Sequence, residues 1–245
     1  MLAEPRCQPL HYFRVATDRL IALDKQHLWH PFTQMKAWCA PENDPSSSWR
    51  SGAILKDSRG REYIDGNSSI WTNIHGHRHP AIDTAVRNQL DKLAHASFLG
   101  STNIPAIELA RKLTRCFPAQ TLSRVFYSDD GSTAIEVAIK MSLQYWQLCG
   151  SPERSQFVAF DNAYHGDTTG AASLGGVETF TNRFAKLHFP VNRVAGVSDL
   201  ALLGSSQIAA IIIERSLFRA RRASVSGHRE CFNRCANGAM RITCC

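Results

Sequence analysis

The run Tyr127-Ser128-Asp129-Asp130-Gly131-Ser132-Thr133-Ala134-Ile135-Glu136 places a glycine and two hydroxyls at the point where a short apolar run gives way to a long helical pattern. A helix N-terminus there would offer unpaired N–H groups, the positive end of a dipole and hydroxyl donors, the groups a phosphate requires. Gly131 and Ser132 are therefore candidate phosphate ligands. The spacing is neither that of a P-loop nor that of the dinucleotide fingerprint, and a plain N-cap is the competing reading. A second run, Asn162-Ala163-Tyr164-His165-Gly166-Asp167-Thr168, puts an aromatic ring and an imidazole in a loop after the apolar run Phe157 to Phe160. Loops at the carboxyl ends of parallel strands are where α/β proteins build sites, so both runs are expected to open on one edge of a sheet. Tyr164 could stack on a planar cofactor whose phosphate sits at Gly131 and Ser132, or it could cap the core. A third run, His75-Gly76-His77-Arg78-His79, has the alternating histidines of a metal-hydrolase loop but no Asp-His after it, so no metal is expected. Trp71, in the polar loop after Asp65-Gly66-Asn67-Ser68-Ser69-Ile70, is either core or a wall for a ligand.

These runs need a scaffold, and the flanking pattern supplies one. The first twenty residues are read as irregular, His27 to Met35 as an arm interrupted by Pro31, and residues 41–48 as a loop rich in proline and serine. Ala53 to Lys56 and Glu62 to Asp65 flank Asp57-Ser58-Arg59-Gly60, a hairpin signal. Ile82, Val86, Leu90 and Leu93, and then Ile107, Ala110 and Leu113, recur at about a helical turn, each series opening near a proline. Val125 to Tyr127 reads as a short buried strand, Ala134 to Leu148 as a long helix, Phe157 to Phe160 as a strand, and Ile208 to Ile213 as a strand covered on both faces. Strands alternating with helices predict an α/β fold built on a mostly parallel sheet.

Composition excludes several classes. With 245 residues, 44% of them apolar and 20% charged, the chain is ordinary globular material, neither disordered nor fibrous. No run approaches the 18 or so apolar residues of a membrane span, and Glu4, Arg6, Arg14, Asp18 and Arg19 occupy the place of a signal-peptide core. A soluble, cytoplasmic chain is expected. The net charge of +7 is concentrated in residues 215–245, where seven arginines meet one acid, leaving +1 for residues 1–214. Cys231, Cys235, Cys244 and Cys245 lie in the same tail, which has neither helical nor strand periodicity. A change of reading frame accounts for so abrupt a switch. A basic nucleic-acid-binding tail is the alternative, although the absence of lysine argues against nucleic acid as a partner.

Taken in order, these runs resemble the class-III pyridoxal-phosphate-dependent aminotransferases. The likeness rests on Leu28-Trp29-His30-Pro31-Phe32-Thr33-Gln34-Met35, Asp65 to Trp71, Ile74-His75-Gly76-His77, Pro105 to Leu109, Asp130 to Ala138, Tyr145-Trp146 and Tyr164 to Thr168, and spans residues 24–214. Within the class, the Trp-His-Pro arm and the Ser-Ser-x-Trp loop resemble the biotin-biosynthesis branch. That branch moves the amino group of S-adenosylmethionine to 8-amino-7-oxononanoate, giving 7,8-diaminononanoate. The resemblance implies the type I aminotransferase fold, with a large mixed sheet and a small domain, in a homodimer. It divides the chain into an extension (1–23), an arm and small-domain segment (24–79), a partial cofactor-binding domain (80–214) and a non-family tail (215–245).

The resemblance further implies that Gly131, Ser132, Tyr164 and His165 bind pyridoxal 5'-phosphate and that Phe32, Ile70, Trp71 and Tyr164 meet the substrate. The family usually has tyrosine at Phe32 and a second tryptophan at Ile70, so another class-III aminotransferase with a different amino donor is a rival reading. No residue matches the family's Schiff-base lysine or the aspartate that holds the pyridine nitrogen protonated. The chain as written is therefore expected to be inactive alone, and a non-catalytic interaction protein with a basic tail is the second alternative.

Overall fold

The computed structural model describes residues 11–43, 48–118 and 121–214, so the arginine-rich tail and its four cysteines lie outside the described residues. The chain divides into two compact units, residues 1–107 and 108–245.

The first unit opens with helix α1 (His11–His27), where irregular chain was expected. No proline or glycine interrupts residues 10–30, and Leu20, Leu23, Lys25 and Gln26 are good helix formers, so propensity and docking carry a helix with little amphipathic contrast. Thr17 is buried, and its hydroxyl donates to the Ser58 carbonyl at 3.4 Å. The arm is pinned back by Asp24, whose carboxylate meets His30 Nε2 at 3.0 Å and accepts from Trp38 Nε1 at 2.7 Å. Trp38 lies in the short helix α2 (Met35–Trp38).

Strands β1 (Ser48–Ser51), β2 (Ile54–Asp57) and β3 (Glu62–Ile64) form an antiparallel sheet in that order. The expected hairpin is β2–β3. Strand β1 is an addition, beginning at Ser48 inside the expected loop, because four register pairs with β2 satisfy its backbone. Beyond it lie a single turn α3 (Ser68–Trp71) and helix α4 (Pro80–Leu90), and helix α5 (Ile104–Thr114) runs across the division after Ile107; α4 and α5 stand where the helical spacing marks them.

The hairpin turn is organised by Asp57, a buried carboxylate. It accepts from Arg61 Nε at 2.6 Å and, at 2.9 Å each, from the Arg59 and Arg61 backbone N–H groups and the Tyr63 hydroxyl. Burial alone would raise its pKa, but these donors outweigh it and hold the carboxyl well below the usual carboxylate range. A group depressed in the folded state contributes its full stability above the unfolded pKa of 3.8 and loses it as the pH falls toward the folded value. Thermal unfolding followed from about pH 7 to about pH 2 should therefore show the midpoint dropping below about pH 4, with a shallower drop in an Asp57→Asn chain that is already less stable at neutral pH. Parallel acid limbs for the two chains would contradict this account.

The second unit is built on a parallel sheet of order β5-β4-β6, comprising β4 (Gln156–Phe160), β5 (Val191–Val194) and β6 (Ile208–Ile212). Alternation along β4 fixes both faces. Phe157 and Ala159 pack with Ile135 and Ile139 of helix α6 (Gly131–Leu148) and with Ala171 and Leu174 of helix α7 (Thr169–Leu174). Val158 and Phe160 pack on the other face with Ala163, Val194, Val197 and Leu200. A short helix α8 (Glu178–Thr181) and three 3-10 turns, at Asn182–Leu187, Val197–Leu202 and Ser205–Gln207, complete the connections. The C-terminal carbonyls of α7 are capped from β5. The Arg193 guanidinium donates to the carbonyls of Ser173, Leu174 and Gly175 at 2.9, 3.2 and 2.5 Å.

Val125 to Tyr127, expected as a strand, is irregular, and Phe126 is exposed. A strand needs ladder pairing for its backbone groups, and among the described residues this segment joins no sheet. Strand β6 pairs only with β4 among the described residues, which leaves its other edge open there.

Candidate cofactor site

Helix α6 begins with a complete capping box. Asp130 is extended, its carboxylate accepts from the Thr133 N–H at 2.7 Å, and Thr133 Oγ1 accepts from the Asp130 N–H at 3.0 Å. This arrangement occupies the acidic side chain and leaves the first turn open. Among the described residues no protein group accepts from the N–H of Gly131 or Ser132, and a Cβ on Gly131 would meet nothing within 4 Å. Ser132 Oγ accepts from the Asp167 N–H at 3.2 Å, so its own hydrogen is available to an incoming acceptor. Two backbone donors and one hydroxyl thus converge at the positive end of an 18-residue helix.

The Asp167 contact ties this helix end to the loop that follows β4. In that loop Tyr164 is 41% exposed, its N–H donates to Glu214 Oε2 at 2.8 Å, and its ring meets Phe180 edge-on at 6.2 Å. The Tyr164 hydroxyl donates to Asp167 Oδ2 at 2.7 Å. That bond to a carboxylate, with partial burial, pushes the phenol pKa up to about 12, so Tyr164 stays protonated at neutral pH. His165 is only 9% exposed, and its Nε2 has no hydrogen-bond partner among the described residues. Burial lowers its pKa; Glu214 opposes that shift and Arg193 adds to it.

The loop is held from below by Glu136 of α6. Its Oε1 accepts from Thr168 Oγ1 at 2.6 Å, from the Gly170 N–H at 2.7 Å and from the Ala171 N–H at 3.2 Å, capping α7 where Thr168 offers no side-chain cap. Gly131, Ser132, Tyr164 and His165 are thereby gathered into one cluster at the carboxyl end of the sheet. A cavity of about 570 Å³ lined by Ile139, Gln156, Phe189 and Asn192 lies at the opposite, amino-terminal end of the strands, away from these groups.

The other candidates belong to the first unit. Phe32 is almost fully exposed, while Ile70 and Trp71 are 67% and 79% exposed. Ser68, Ser69, Ile70 and Trp71 have φ of 54°, 50°, 61° and 64°, a complete left-handed turn of side-chain-bearing residues. Each such residue costs about 1–2 kcal/mol, and a β-branched one such as Ile70 is a particular outlier. His77 is buried and turned toward Asp65 at 2.7 Å, while the rings of His75 and His79 meet edge-on at 6.1 Å. Among the described residues no group of three or more His, Cys, Asp or Glu is placed to hold a metal.

Reading the residues alone misses Glu136, Glu214, Asp167 and Asp65. Only Glu214 carried a local signal, as an acid directly following a β-branched strand.

A helix N-terminus with two unpaired N–H groups among the described residues and a loop aromatic beside it, on a parallel sheet, make the kind of α/β scaffold that a phosphate-bearing cofactor requires. The chain belongs to the class-III aminotransferase family, whose model matches residues 46–217. Adenosylmethionine-8-amino-7-oxononanoate aminotransferase of Nitratidesulfovibrio vulgaris is 50% identical over 175 residues, which is 71% of this chain and 32% of that protein. The Geobacter sulfurreducens protein of the same name is 47% identical over 71% of this chain and 38% of its own length. The chain spans about a third of the length of these curated relatives.

Among solved structures, the Methanocaldococcus jannaschii adenosylmethionine-8-amino-7-oxononanoate aminotransferase matches with a TM-score of 0.74 and 38% identity, over 79% of this chain and 46% of that one. A PLP-bound amine transaminase from an uncultivated Pseudomonas species matches with a TM-score of 0.68 and 29% identity, over 76% and 48%. The fold is that of the type I pyridoxal-phosphate-dependent aminotransferases, present in part. No helix among the described residues is long and apolar enough to cross a membrane.

Proposed function

We propose that this chain carries the phosphate-binding and ring-facing portion of an aminotransferase of biotin biosynthesis, in which S-adenosylmethionine donates an amino group to 8-amino-7-oxononanoate to give 7,8-diaminononanoate. The observation that carries the cofactor assignment is the tie between Ser132 Oγ and the Asp167 N–H, which joins an open helix end to the Tyr164 loop. The identity of about 50% to enzymes of that name supports the choice of substrates over another class-III amino donor.

When bound, pyridoxal 5'-phosphate supplies the electron sink for amino transfer. The chain's own residues bind and orient it. The N–H groups of Gly131 and Ser132 and the Ser132 hydroxyl hold the phosphate, the protonated Tyr164 presents its ring to the pyridine, and the neutral imidazole of His165 supports the loop without adding charge. Phe32, Ile70 and Trp71 meet the substrate. The intact enzyme works in the cytoplasm as a homodimer.

The polypeptide of this sequence binds the cofactor reversibly and does not turn over. Its lysines are engaged elsewhere or exposed. Lys25 donates to the Ala40 and Asn43 carbonyls at 2.7 and 2.6 Å, Lys56 pairs with Glu62 at 3.3 Å, and Lys140 lies on the solvent side of α6. Calorimetric titration with pyridoxal 5'-phosphate tests the site. Competition by inorganic phosphate is expected, and Ser132→Ala should weaken binding about tenfold through loss of one charge-assisted hydrogen bond. Equal affinity in the variant would overturn the assignment of Ser132. Incubation with cofactor, S-adenosylmethionine and 8-amino-7-oxononanoate should yield no 7,8-diaminononanoate by mass spectrometry, and its formation would refute the inactivity.

A further inference from the structure

We infer that Asp65 and His77 are positioning residues, a buried clamp that holds Ser68–Trp71 in its left-handed turn and thereby presents Ile70 and Trp71 to the substrate. What those two side chains meet rests on the function proposed above. The clamp itself rests on its own geometry.

A left-handed turn of four residues bearing side chains persists only where its surroundings over-determine it. The Asp65 carboxylate supplies that determination from one end of the turn. Oδ1 accepts from the Ser69 N–H at 2.8 Å, and Oδ2 accepts from the Ser69 hydroxyl at 2.8 Å and from His77 Nε2 at 2.7 Å. An ionised carboxylate only accepts, so the hydrogen shared with His77 resides on Nε2. Both side chains are 5% exposed, which keeps the bonds out of competition with water.

Each member of the clamp is in turn anchored to the hairpin. The Asp65 N–H donates to the Ala53 carbonyl at 2.9 Å. His77 exchanges both backbone bonds with Gly52, at 3.0 and 2.7 Å. Gly76, at φ 78°, lets that bridge form, since a Cβ there would lie 3.1 Å from the Gly52 carbonyl oxygen. The far end of the turn is closed by Trp71 N–H to Asn67 O at 2.8 Å and by the Thr72 and Asn73 N–H groups, both to Ser68 O at 3.0 Å.

The alternating histidines therefore have a division of labour. His77 is the buried partner of Asp65, and its role is to set the backbone on which Trp71 stands. A residue acting in this way should be replaceable by one that keeps a donor at the same place. Gln presents its amide nitrogen near the position of His Nε2, whereas Leu fills the space without a donor and leaves the Asp65 carboxylate short of a partner.

The test uses the full chain and compares wild type with His77→Gln, His77→Leu and Ser69→Ala. Hydrogen exchange read by mass spectrometry should quicken about tenfold or more at residues 68–73 in His77→Leu and severalfold in Ser69→Ala, with residues 156–160 unchanged. His77→Gln should restore slow exchange. The fluorescence contribution of Trp71, obtained as the difference from a Trp71→Phe chain, should shift in His77→Leu and return in His77→Gln. Unchanged exchange and emission in His77→Leu would overturn the clamp, and if that chain fails to fold, unchanged exchange in Ser69→Ala would do the same. Titration with S-adenosylmethionine separates the two ideas. No binding by the wild type, with the exchange contrast intact, would sink the substrate reading and support the clamp, while equal binding by wild type and a loosened His77→Leu would refute positioning.

Discussion

Gly166→Ala is expected to abolish measurable pyridoxal 5'-phosphate binding while leaving a destabilised but folded chain. Gly166 sits at φ 124°, a conformation that L side chains rarely adopt. An added Cβ would also fall 2.3 Å from Ser132 Oγ, 2.8 Å from Ser132 Cβ and 2.9 Å from Ser132 Cα. The last two contacts decide the outcome, because rotating the hydroxyl away relieves only the first. Either the loop lifts off α6, breaking the bond from the Asp167 N–H to Ser132 Oγ, or the first turn of α6 moves. Both responses pull apart the helix end and the tyrosine that the proposed site brings to one cofactor. Loss of the phosphate hydrogen bonds at Ser132 together with the Tyr164 contact should weaken binding about 100-fold or more, and the backbone strain should cost about 1–3 kcal/mol of stability.

Gly131→Ala is the informative control. Its Cβ meets no neighbour within 4 Å, so the chain should fold at least as stably, yet a methyl group at the helix mouth intrudes where the phosphate approaches. Calorimetric affinity and urea unfolding measured on both variants separate the two effects. Wild-type affinity in Gly166→Ala would mean that the loop and the helix end do not share a ligand.

Helices α4, α5 and α6 and strands β4 and β6 were legible because local periodicity or a buried apolar run decides each of them. Ile82, Val86 and Leu90 keep a helical period without help from elsewhere, and the β-branched run at Ile208 to Ile213 can be satisfied only by burial on both faces. Strand β5 was hidden because Asn192 and Arg193 break its apolar run. Arg193 is there to reach the carbonyls of Ser173, Leu174 and Gly175, a need created by α7 and invisible in the local pattern. Val125 to Tyr127 failed in the opposite sense, since its composition suits a strand but it joins no sheet among the described residues.

In the candidate site, the juxtaposition of Gly131 and Ser132 with Tyr164 was foreshadowed by their places at a helix start and a strand end. Their supports were not. Glu214 meets Tyr164 across 50 residues of sequence and Glu136 meets Thr168 across 32, so neither partner can be read from spacing. The left-handed turn at Ser68–Trp71 was likewise unreadable, because nothing in Ser-Ser-Ile-Trp favours positive φ and the clamp that enforces it is tertiary.

Glu136→Ala should then be among the most damaging single changes in the second unit, although Glu136 is not among the residues proposed to hold the cofactor or meet the substrate. Its one oxygen satisfies a hydroxyl and two N–H groups of the α7 start, a short helix whose other end is fixed by Arg193. Bonds to a charged acceptor contribute about 1.5–3 kcal/mol each, and they are not additive; removing the acceptor also leaves part-buried donors unpaired. A loss of about 3 kcal/mol or more is expected for Ala. Glu136→Gln keeps a carbonyl oxygen at the same reach and forfeits only the charge, so about 1 kcal/mol should go.

The consequence for function follows from the order of the chain. Thr168 directly follows Asp167, which holds both Ser132 Oγ and the Tyr164 hydroxyl, so releasing Thr168 frees the loop that carries the ring. Affinity for pyridoxal 5'-phosphate should fall in the same order as stability, wild type above Gln above Ala, when both are measured at a temperature where all three chains remain folded. If Glu136→Ala unfolds at wild-type urea concentrations, the α7 start must draw its stability from the Ala171 and Leu174 packing beneath it, and the hydrogen bonds to Glu136 would be incidental to it.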